Sequence, residues 1–451
     1  MGRLAPNAGQ RALLSRIDQL RNLVRSENLA IVSRSVVIQV IGYGVSLALM
    51  PVAIAFYTPE QFGMFAVALF CANLVGSYGG LKLEWAVINE HSGRAAELLL
   101  RVSLTLLLVL GILVALAAAV LPQGLFDRFD LARGAALLAA PVAVVTGFGL
   151  FLQAWGIRTR NYEGVYLARN AVMVSRQAFQ IGLGLLWPSV AALLVSEFAS
   201  RLLGIRIILA RLRKRVALVA PARLARLIRP LAFRRYGHYS KVALPSSLVD
   251  FAMTEGLAVV IVPLYGLEVA GAYWLVQRIF GIPVALIGTV AADVFQGQIA
   301  RRSDHDQILR QMTQVGALLA AFSVIVLPAA AVVLWLLTRH FYGGKWMLSG
   351  QLGLYLVPAI CLQFIASPLS RILIVREKMH YKYIFDGTMF LGLASWLALT
   401  TIGGLGVLHS IAYLAGVQAL AYAIYIVLCF HVARQASAGA DRRMEPGELG
   451  P

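Results

Sequence analysis

The chain has 451 residues, 59% of them hydrophobic and only 14% charged, with 40 Lys or Arg against 21 Asp or Glu and a formal net charge of +19. A soluble domain carries about a quarter charged residues, so this composition, with a mean hydropathy of +0.76, excludes a soluble globular protein and points to a polytopic membrane protein. The cationic excess then concerns where each Lys and Arg lies relative to apolar spans, and nucleic acid is not an expected partner.

In chain order, residues 1–35 hold six Arg ahead of any long apolar run, a pattern without a cleavable signal peptide. Within them Leu13, Ile17, Leu20 and Val24 recur at helical spacing among Arg11, Arg16, Arg21 and Arg25, which predicts an amphipathic helix in a basic cytoplasmic tail. A hydrocarbon core about 30 Å thick takes about 20 apolar residues per helix. Runs of that kind lie near 36–57, 62–82, 102–121, 134–156, 165–187 and 190–209, and again near 242–264, 269–296, 315–338, 350–375, 383–404 and 408–431. The expected fold is therefore all-α, with about twelve transmembrane helices in an N-terminal half over 36–209 and a C-terminal half over 242–432. The linker over 210–241 contains RLRKRVALVAPARLARLIRPLAFRR, nine basic residues and no acid in 211–235. Its Leu224, Leu227, Ile228 and Leu231 stand opposite Arg223, Arg226 and Arg229, a second amphipathic helix whose arginines suit anionic membrane lipids. A tail over 433–451 closes the chain.

Alternating sides along this map, 30 of the 40 Lys and Arg fall on the side of the N-terminal tail and the 210–241 linker, and only Arg128, Arg133, Arg339 and Lys345 fall on the other. The positive-inside rule then places both termini in the cytoplasm. The two halves also echo each other. YTPEQFGMF after the first helix and YGLEVAGAY after the seventh align Tyr57, Glu60, Gly63 and Phe65 with Tyr265, Glu268, Gly271 and Tyr273 at a constant offset of 208 residues. Repeats of this kind are common in transporters, where the site lies between halves.

Six cations fall inside spans: Arg169, Arg176, Arg201, Arg206, Arg278 and Arg371. Each one at mid-bilayer costs about 2.5–3.5 kcal/mol on an insertion scale and needs a partner or a wet cavity. Arg201 has Glu197 one turn earlier and is expected to pair with it. Arg206, Arg371 and Arg169 lie near span ends, within snorkelling reach. Arg176 and Arg278 are deep and have no acid within four positions on their own helices, and Arg169, Arg176 and Gln180 share one face of the fifth helix. That pattern reads as a cationic stripe facing a cavity, with an ion pair to a neighbouring helix as the structural alternative. Arg176, Arg278, Arg169, Gln180 and Arg201 are therefore candidate substrate-binding residues, for a phosphate or carboxylate that a guanidinium fork suits. Asp250 and Glu255 on the seventh helix are candidates for a coupling ion or for counter-charges to Arg176 and Arg278. Tyr273 and Trp274 are candidates for stacking on sugar faces.

Nothing in the sequence reads as a catalytic or metal constellation. Cys71, Cys361 and Cys429 are far apart in apolar stretches, all seven His lie at or outside span ends, and neither a P-loop nor HExxH nor a nucleophile elbow is present. No metal or other cofactor is expected.

The stretches YTPEQFGMFAV, LKLEWAVI, LPSSLVDF, GAYWLVQRIFGIPVALIGTVAADVFQ and YGGKWMLSGQLGLYLVPAICLQFIASPLSRIL resemble, in order and spacing, the Wzx-type polysaccharide flippases of the MOP (multidrug, oligosaccharidyl-lipid, polysaccharide) exporter superfamily. The resemblance runs from about residue 34 to 432. It implies a MATE-like V-shaped bundle of two six-helix halves working by alternating access. The implied cargo is an undecaprenyl-diphosphate-linked oligosaccharide, moved from the cytoplasmic to the periplasmic leaflet of a bacterial inner membrane, with ion coupling. A polysaccharide polymerase and a chain-length regulator are the implied protein partners. The family's recurring acid at the end of helix two falls on Glu84, its helix-eight Arg on Arg278, and its helix-bending prolines on Pro245, Pro283 and Pro368; the commonly aromatic position before the acid is Leu83 here. The rival readings are a multidrug or organic-ion exporter of the same fold, which wants an acidic cavity, and a lipid II-type flippase. A membrane polymerase or ligase would want a large outer loop, and no expected outer loop exceeds about 13 residues.

Overall fold

The computed structural model describes residues 27–212, 218–299, 305–376, 378 and 380–435, with no strand among them. The amphipathic helix expected over 11–25, the basic residues Arg213, Lys214, Arg215, Arg301 and Arg302, and the tail beyond 435 lie outside the described residues.

In chain order the helices are α1 (Glu27–Ile54), α2 (Pro59–Tyr78), α3 (Leu83–Asn89), α4 (Gly93–Val120), α5 (Gln123–Asp127), α6 (Arg133–Arg158), α7 (Tyr162–Leu186), α8 (Val190–Leu212) and α9 (Pro221–Arg229). They continue as α10 (Leu244–Glu255), α11 (Leu257–Ile299), α12 (His305–His340), α13 (Met347–Leu369), α14 (Arg371–Val375), α15 (His380–Gly403) and α16 (Val407–Gln435). Two wide-turn segments, Pro230–Arg235 and Tyr239–Ala243, join α9 to α10.

Nine stretches among the described residues are long and apolar enough to cross a membrane, and the chain is a multi-pass membrane protein. The number differs from the expected twelve for physical reasons. The residues expected as the fifth and sixth spans form the long helices α7 and α8, but Arg169, Arg176, Glu197, Arg201 and Arg206 leave them less apolar than the nine. The residues expected as the seventh and eighth run along one helical path, interrupted at Gly266, where φ is 85°.

Packing divides the chain into two compact units. The first comprises Met1–Phe56, Ala68–Pro122 and Arg133–Thr254; the second comprises Tyr57–Val67, Gln123–Ala132 and Glu255–Pro451. In the first, Leu83, Val87, Leu99, Leu104, Leu107 and Phe151 form a core on which Ile228, Leu231 and Tyr236 rest. Leu224 of α9 is buried as well, while Arg223, Arg226 and Arg229 are exposed. The linker helix is therefore amphipathic as expected, but its apolar face is covered by protein. Only the arginines are left for lipid headgroups.

In the second unit the repeated turns meet. Thr58 and Gln61 cap α2 reciprocally, Thr58 N donating to Gln61 Oε1 (3.1 Å) and Gln61 N to Thr58 Oγ1 (3.3 Å), a capping box with Pro59 as the first helical residue. At the offset of 208 residues, Thr58 corresponds to Gly266, which makes the equivalent break with a left-handed φ instead of a side-chain cap. A Cβ placed on Gly63 would lie 2.1 Å from Leu267 O, and one on Gly271 would lie 1.9 Å from Pro59 O. Gly63 corresponds to Gly271 and Pro59 to Leu267 in the repeat, so the contact is reciprocal, as across an internal two-fold axis. Phe62, Phe65, Trp274 and Trp346 pack edge to face around it, ring centroids 5.1–5.6 Å apart for Phe62–Trp346, Phe65–Trp274 and Phe62–Trp274.

Pro51, Pro141, Pro328, Pro358 and Pro368 lie inside helices. Pro368, expected to bend its helix, stands one residue before the end of α13. Pro245, also expected to bend its helix, is the second residue of α10, which follows without a break on the wide-turn segment Tyr239–Ala243. Pro283 lies inside α11, whose one non-helical residue is Gly266.

Candidate functional site

The buried charges of α7 and α8 form one cluster in the first unit. The Glu197 carboxylate is fully buried between two guanidinium groups: its Oε2 lies 2.7 Å from Arg176 Nε, and its Oε1 lies 2.6 Å from Arg201 Nη2. Arg201 Nε donates to the same Oε1 at 2.7 Å, Nη2 donates to Asn73 Oδ1 at 3.1 Å, and Nη1 donates to Thr146 Oγ1. Arg201 thus pairs with Glu197 as its one-turn spacing requires. Glu197 also pairs with Arg176 on the neighbouring helix, so the counter-charge of Arg176 is Glu197 and not Asp250 or Glu255. The signal for this was present in the sequence. α7 and α8 form a hairpin around residues 187–189, and in an antiparallel pair of equal rise residue 176 mirrors residue 200 across the turn, between Glu197 and Arg201.

Beside the cluster is a cavity of about 500 Å³ within the first unit, lined by Arg169, Arg176 and Arg201 and, among the described residues, by no Asp or Glu. Gln39, Tyr43, Asn73, Ser77, Thr146 and Gln153 supply its polar wall, interspersed with apolar side chains such as Met173 and Phe251. Arg169 is held by Nε donating to Gln153 Oε1 (2.7 Å) and lies 5.8 Å from the Tyr166 ring. Three lining guanidiniums against the single Glu197 carboxylate behind them leave a wall of net positive charge. The uncharged lining residues were not singled out from sequence, although Gln39 and Tyr43, Asn73 and Ser77, and Thr146 and Gln153 stand four, four and seven residues apart, each pair on one helix face.

The other candidates lie elsewhere. Gln180, expected on the face of Arg169 and Arg176, is buried and is not a cavity-lining residue. Arg278 belongs to the second unit, where its guanidinium stacks over Trp274 at 4.7 Å, and its charge reaches Glu255. Tyr273, expected to stack on sugars, is sealed in the core and accepts a hydrogen bond from Gln277 Nε2 (2.7 Å); it has no free ring face. Trp274 is occupied by Phe62, Phe65 and Arg278. Asp250 and Glu255 are exposed on α10. Glu84 is buried at the start of α3, 3.5 Å from Lys82 Nζ.

The linker is latched to the α3–α4 connection and to α4. Tyr236 donates to Glu90 Oε2, Arg235 Nη2 lies 3.2 Å from the same oxygen, Asn89 Nδ2 donates to Tyr239 Oη at 3.1 Å, and Val219 N donates to Thr105 Oγ1 at 2.9 Å. The Tyr236 hydrogen bond, with the Ser92 N–H and the Arg235 charge, holds the Glu90 carboxyl below the usual carboxylate range. Burial and then Glu90 push the Tyr236 phenol up to about 12. Arg158 closes the other side, donating to the carbonyls of Val87 (3.2 Å), Glu90 and His91 (3.3 Å) at the C-terminus of α3.

Among the described residues no group of three His, Cys, Asp or Glu converges to hold a metal ion. The model of the polysaccharide biosynthesis protein family matches residues 55–350. The chain belongs to that family. In structure it is similar to a lipid II flippase, MurJ, in an inward closed conformation, with a TM-score of 0.62 and 13% sequence identity over 89% of each chain. It is also similar to a multidrug resistance MATE family transporter of the MOP superfamily, inward-facing (TM-score 0.55, 15% identity, 90% of this chain and 96% of that one) and outward-facing (0.55, 13%, 93% and 98%). Identities this low show a shared fold and nothing more. No curated protein sequence matches the chain.

Proposed function

We propose that the protein flips an undecaprenyl-diphosphate-linked oligosaccharide from the cytoplasmic to the periplasmic leaflet of a bacterial inner membrane during surface polysaccharide synthesis. It does so by alternating access, both termini lying in the cytoplasm. The observation that carries this reading is the cationic cavity of the first unit. A diphosphate diester is a compact dianion, and Arg169, Arg176 and Arg201 line the cavity with guanidiniums, the group whose fork suits it. Gln39, Asn73, Ser77 and Gln153 offer amide and hydroxyl partners for the first sugar's hydroxyls. The family match and the MurJ-like fold support a lipid-linked cargo.

Arg278, with Glu255 in its field, is a further cationic element of the second unit, and Asp250, Glu255 and Glu84 are the carboxylates proposed to admit the coupling ion, proton or sodium. The work is transport and not covalent chemistry. The rival reading as an organic-cation exporter requires carboxylates on the cavity wall, and among the described residues none lines it. A lipid II-type flippase shares the seat chemistry and is separated by its cargo sugar.

The test is flipping of a fluorescent prenyl-diphospho-oligosaccharide in proteoliposomes. Arg169→Ala and Arg176→Ala are expected to lower the rate at least about tenfold, one lost charge-assisted contact contributing about 1.5–3 kcal/mol. Arg176→Lys recovers only part, because a point charge does not reproduce a fork. Wild-type rates in both alanine variants would remove the cavity from the pathway.

A further inference from the structure

Glu197 lies where cargo would have to compete. Both of its oxygens engage cavity-lining guanidiniums, Oε2 with Arg176 and Oε1 with Arg201, and the carboxylate itself is sealed from solvent. Among the described residues, the charged and titratable groups around the cluster include Arg169, which lines the same cavity. α7 brings Arg176, α8 brings Arg201, and Tyr43 of α1 acts on Arg176, whereas α6 and α2 present the non-titrating Thr146 and Asn73. An anion seated on Arg176 and Arg201 competes with Glu197 for the Arg201 N–H donors and for the charge of Arg176. A carboxylate that loses those partners in a dry interior is costly unless it is neutralised.

We infer that Glu197 is a displaceable internal counter-ion. It occupies Arg176 and Arg201 when the cavity is empty, gives them up to the cargo anion, and takes a proton from solvent onto one carboxylate oxygen as it does so. The step balances: a hydronium or buffer acid loses one proton, one O–H bond forms at Glu197, and the cluster exchanges its internal anion for the cargo's. On release the order reverses, and Glu197 resets the empty seat. This rests on the anion-seat reading given above.

The test uses purified full-length protein in detergent and a short-chain prenyl-diphospho-N-acetylglucosamine, a diester that is fully ionised across the neutral range. In weak buffer with an indicator dye, wild-type protein is expected to take up about one proton per ligand bound, and its Kd to rise by up to about tenfold per pH unit, because the bound state carries one more proton than the empty one. Glu197→Gln is expected to bind at least tenfold more tightly with a pH-independent Kd, and to flip the fluorescent lipid more slowly because release has lost its competitor. A purely structural Glu197 predicts weaker binding in that variant. Ligand binding by wild type without proton uptake overturns the counter-ion role while leaving the seat in place, whether or not Glu197→Gln folds. No binding by wild type at all overturns both.

Discussion

The reciprocal contact between the repeated turns gives a prediction whose size can be worked from the structure. A Cβ on Gly271 would sit 1.9 Å from Pro59 O and 2.7 Å from Gly63 N, where ordinary contact begins at 3.4 Å. Gly271→Ala therefore requires α11 and the start of α2 to separate by about 1.5 Å. Both opposing groups are backbone, so no side-chain rotation relieves the clash, and the cost lies toward the upper end of the 1–3 kcal/mol typical of overpacking, about 3 kcal/mol. Gly63→Ala meets Leu267 O at 2.1 Å and is expected to cost about as much. Because one separation relieves both clashes, the double variant is expected to lose less than the two single losses added. The assay is the unfolding midpoint of detergent-purified protein. Gly182→Ala serves as control: it has nothing within 4 Å, sits in α7, and gains about 0.5–1 kcal/mol from helix propensity. A Gly271→Ala midpoint equal to wild type, or strict additivity in the double variant, would refute the reciprocal contact.

Other expectations follow from the same kind of reasoning. Arg158→Ala strands the Val87, Glu90 and His91 carbonyls it now satisfies and is expected to cost about 1–3 kcal/mol, seen as faster hydrogen exchange over 83–92. The Glu90–Tyr236 latch is set by a carboxyl held below its usual range; its contribution is present above the unfolded carboxylate value of about 4.3 and is lost as pH falls through the lowered folded value. Protease nicking of the 230–241 segment should therefore rise on acidification below about pH 4 in wild type, and already be high at neutral pH in Tyr236→Phe. Asn170→Ala removes the 2.6 Å hydrogen bond to Ile38 O that ties α7 to α1 and is expected to lower the unfolding midpoint by an amount corresponding to about 1–2 kcal/mol; an unchanged midpoint would show that the contact contributes nothing.

The parts of the fold readable in the sequence were those governed by local rules. Apolar runs mark the long helices because the bilayer sets their length, and the 208-residue offset marked Gly63 and Gly271 because both turns need a residue without a side chain at the same point of closest approach. The amphipathic α9 was readable from the spacing of Leu224, Ile228 and the arginines, but not what covers its apolar side, since periodicity is the same for a helix lying on lipid and one lying on Leu83 and Phe151. At the site, burial of Arg176 and Arg201 followed from their depth in apolar spans. The sharing of Glu197 did not, because a scan within four residues on one helix cannot see a partner 21 residues away across a hairpin. Tyr273 failed as a stacking candidate for the opposite reason: aromatic character reads alike in a core and in a binding wall, and only packing separates the two.

Whether the Arg176–Glu197–Arg201 triad exists for stability or for binding is a question its energetics can answer. Two cations and an anion taken out of water recover their desolvation cost only through excellent geometry, and replacing such a triad by apolar residues of similar volume is commonly neutral or stabilising by about 1–4 kcal/mol. The residues around this one soften the replacement: Thr146 keeps its own hydrogen bond to Val142 O at 2.6 Å, and Asn73 borders the cavity and can turn to water. The triple variant Arg176→Met, Glu197→Leu, Arg201→Met is therefore expected to fold, with an unfolding midpoint at or above wild type, and to lose anion binding and flipping altogether. A binding seat is the only role that explains both results, since the chain would be carrying an ionic cluster that its fold does not need. If the triple variant instead unfolds at markedly lower temperature while single cavity substitutions such as Arg169→Ala still flip lipid at the wild-type rate, the triad is a structural clamp.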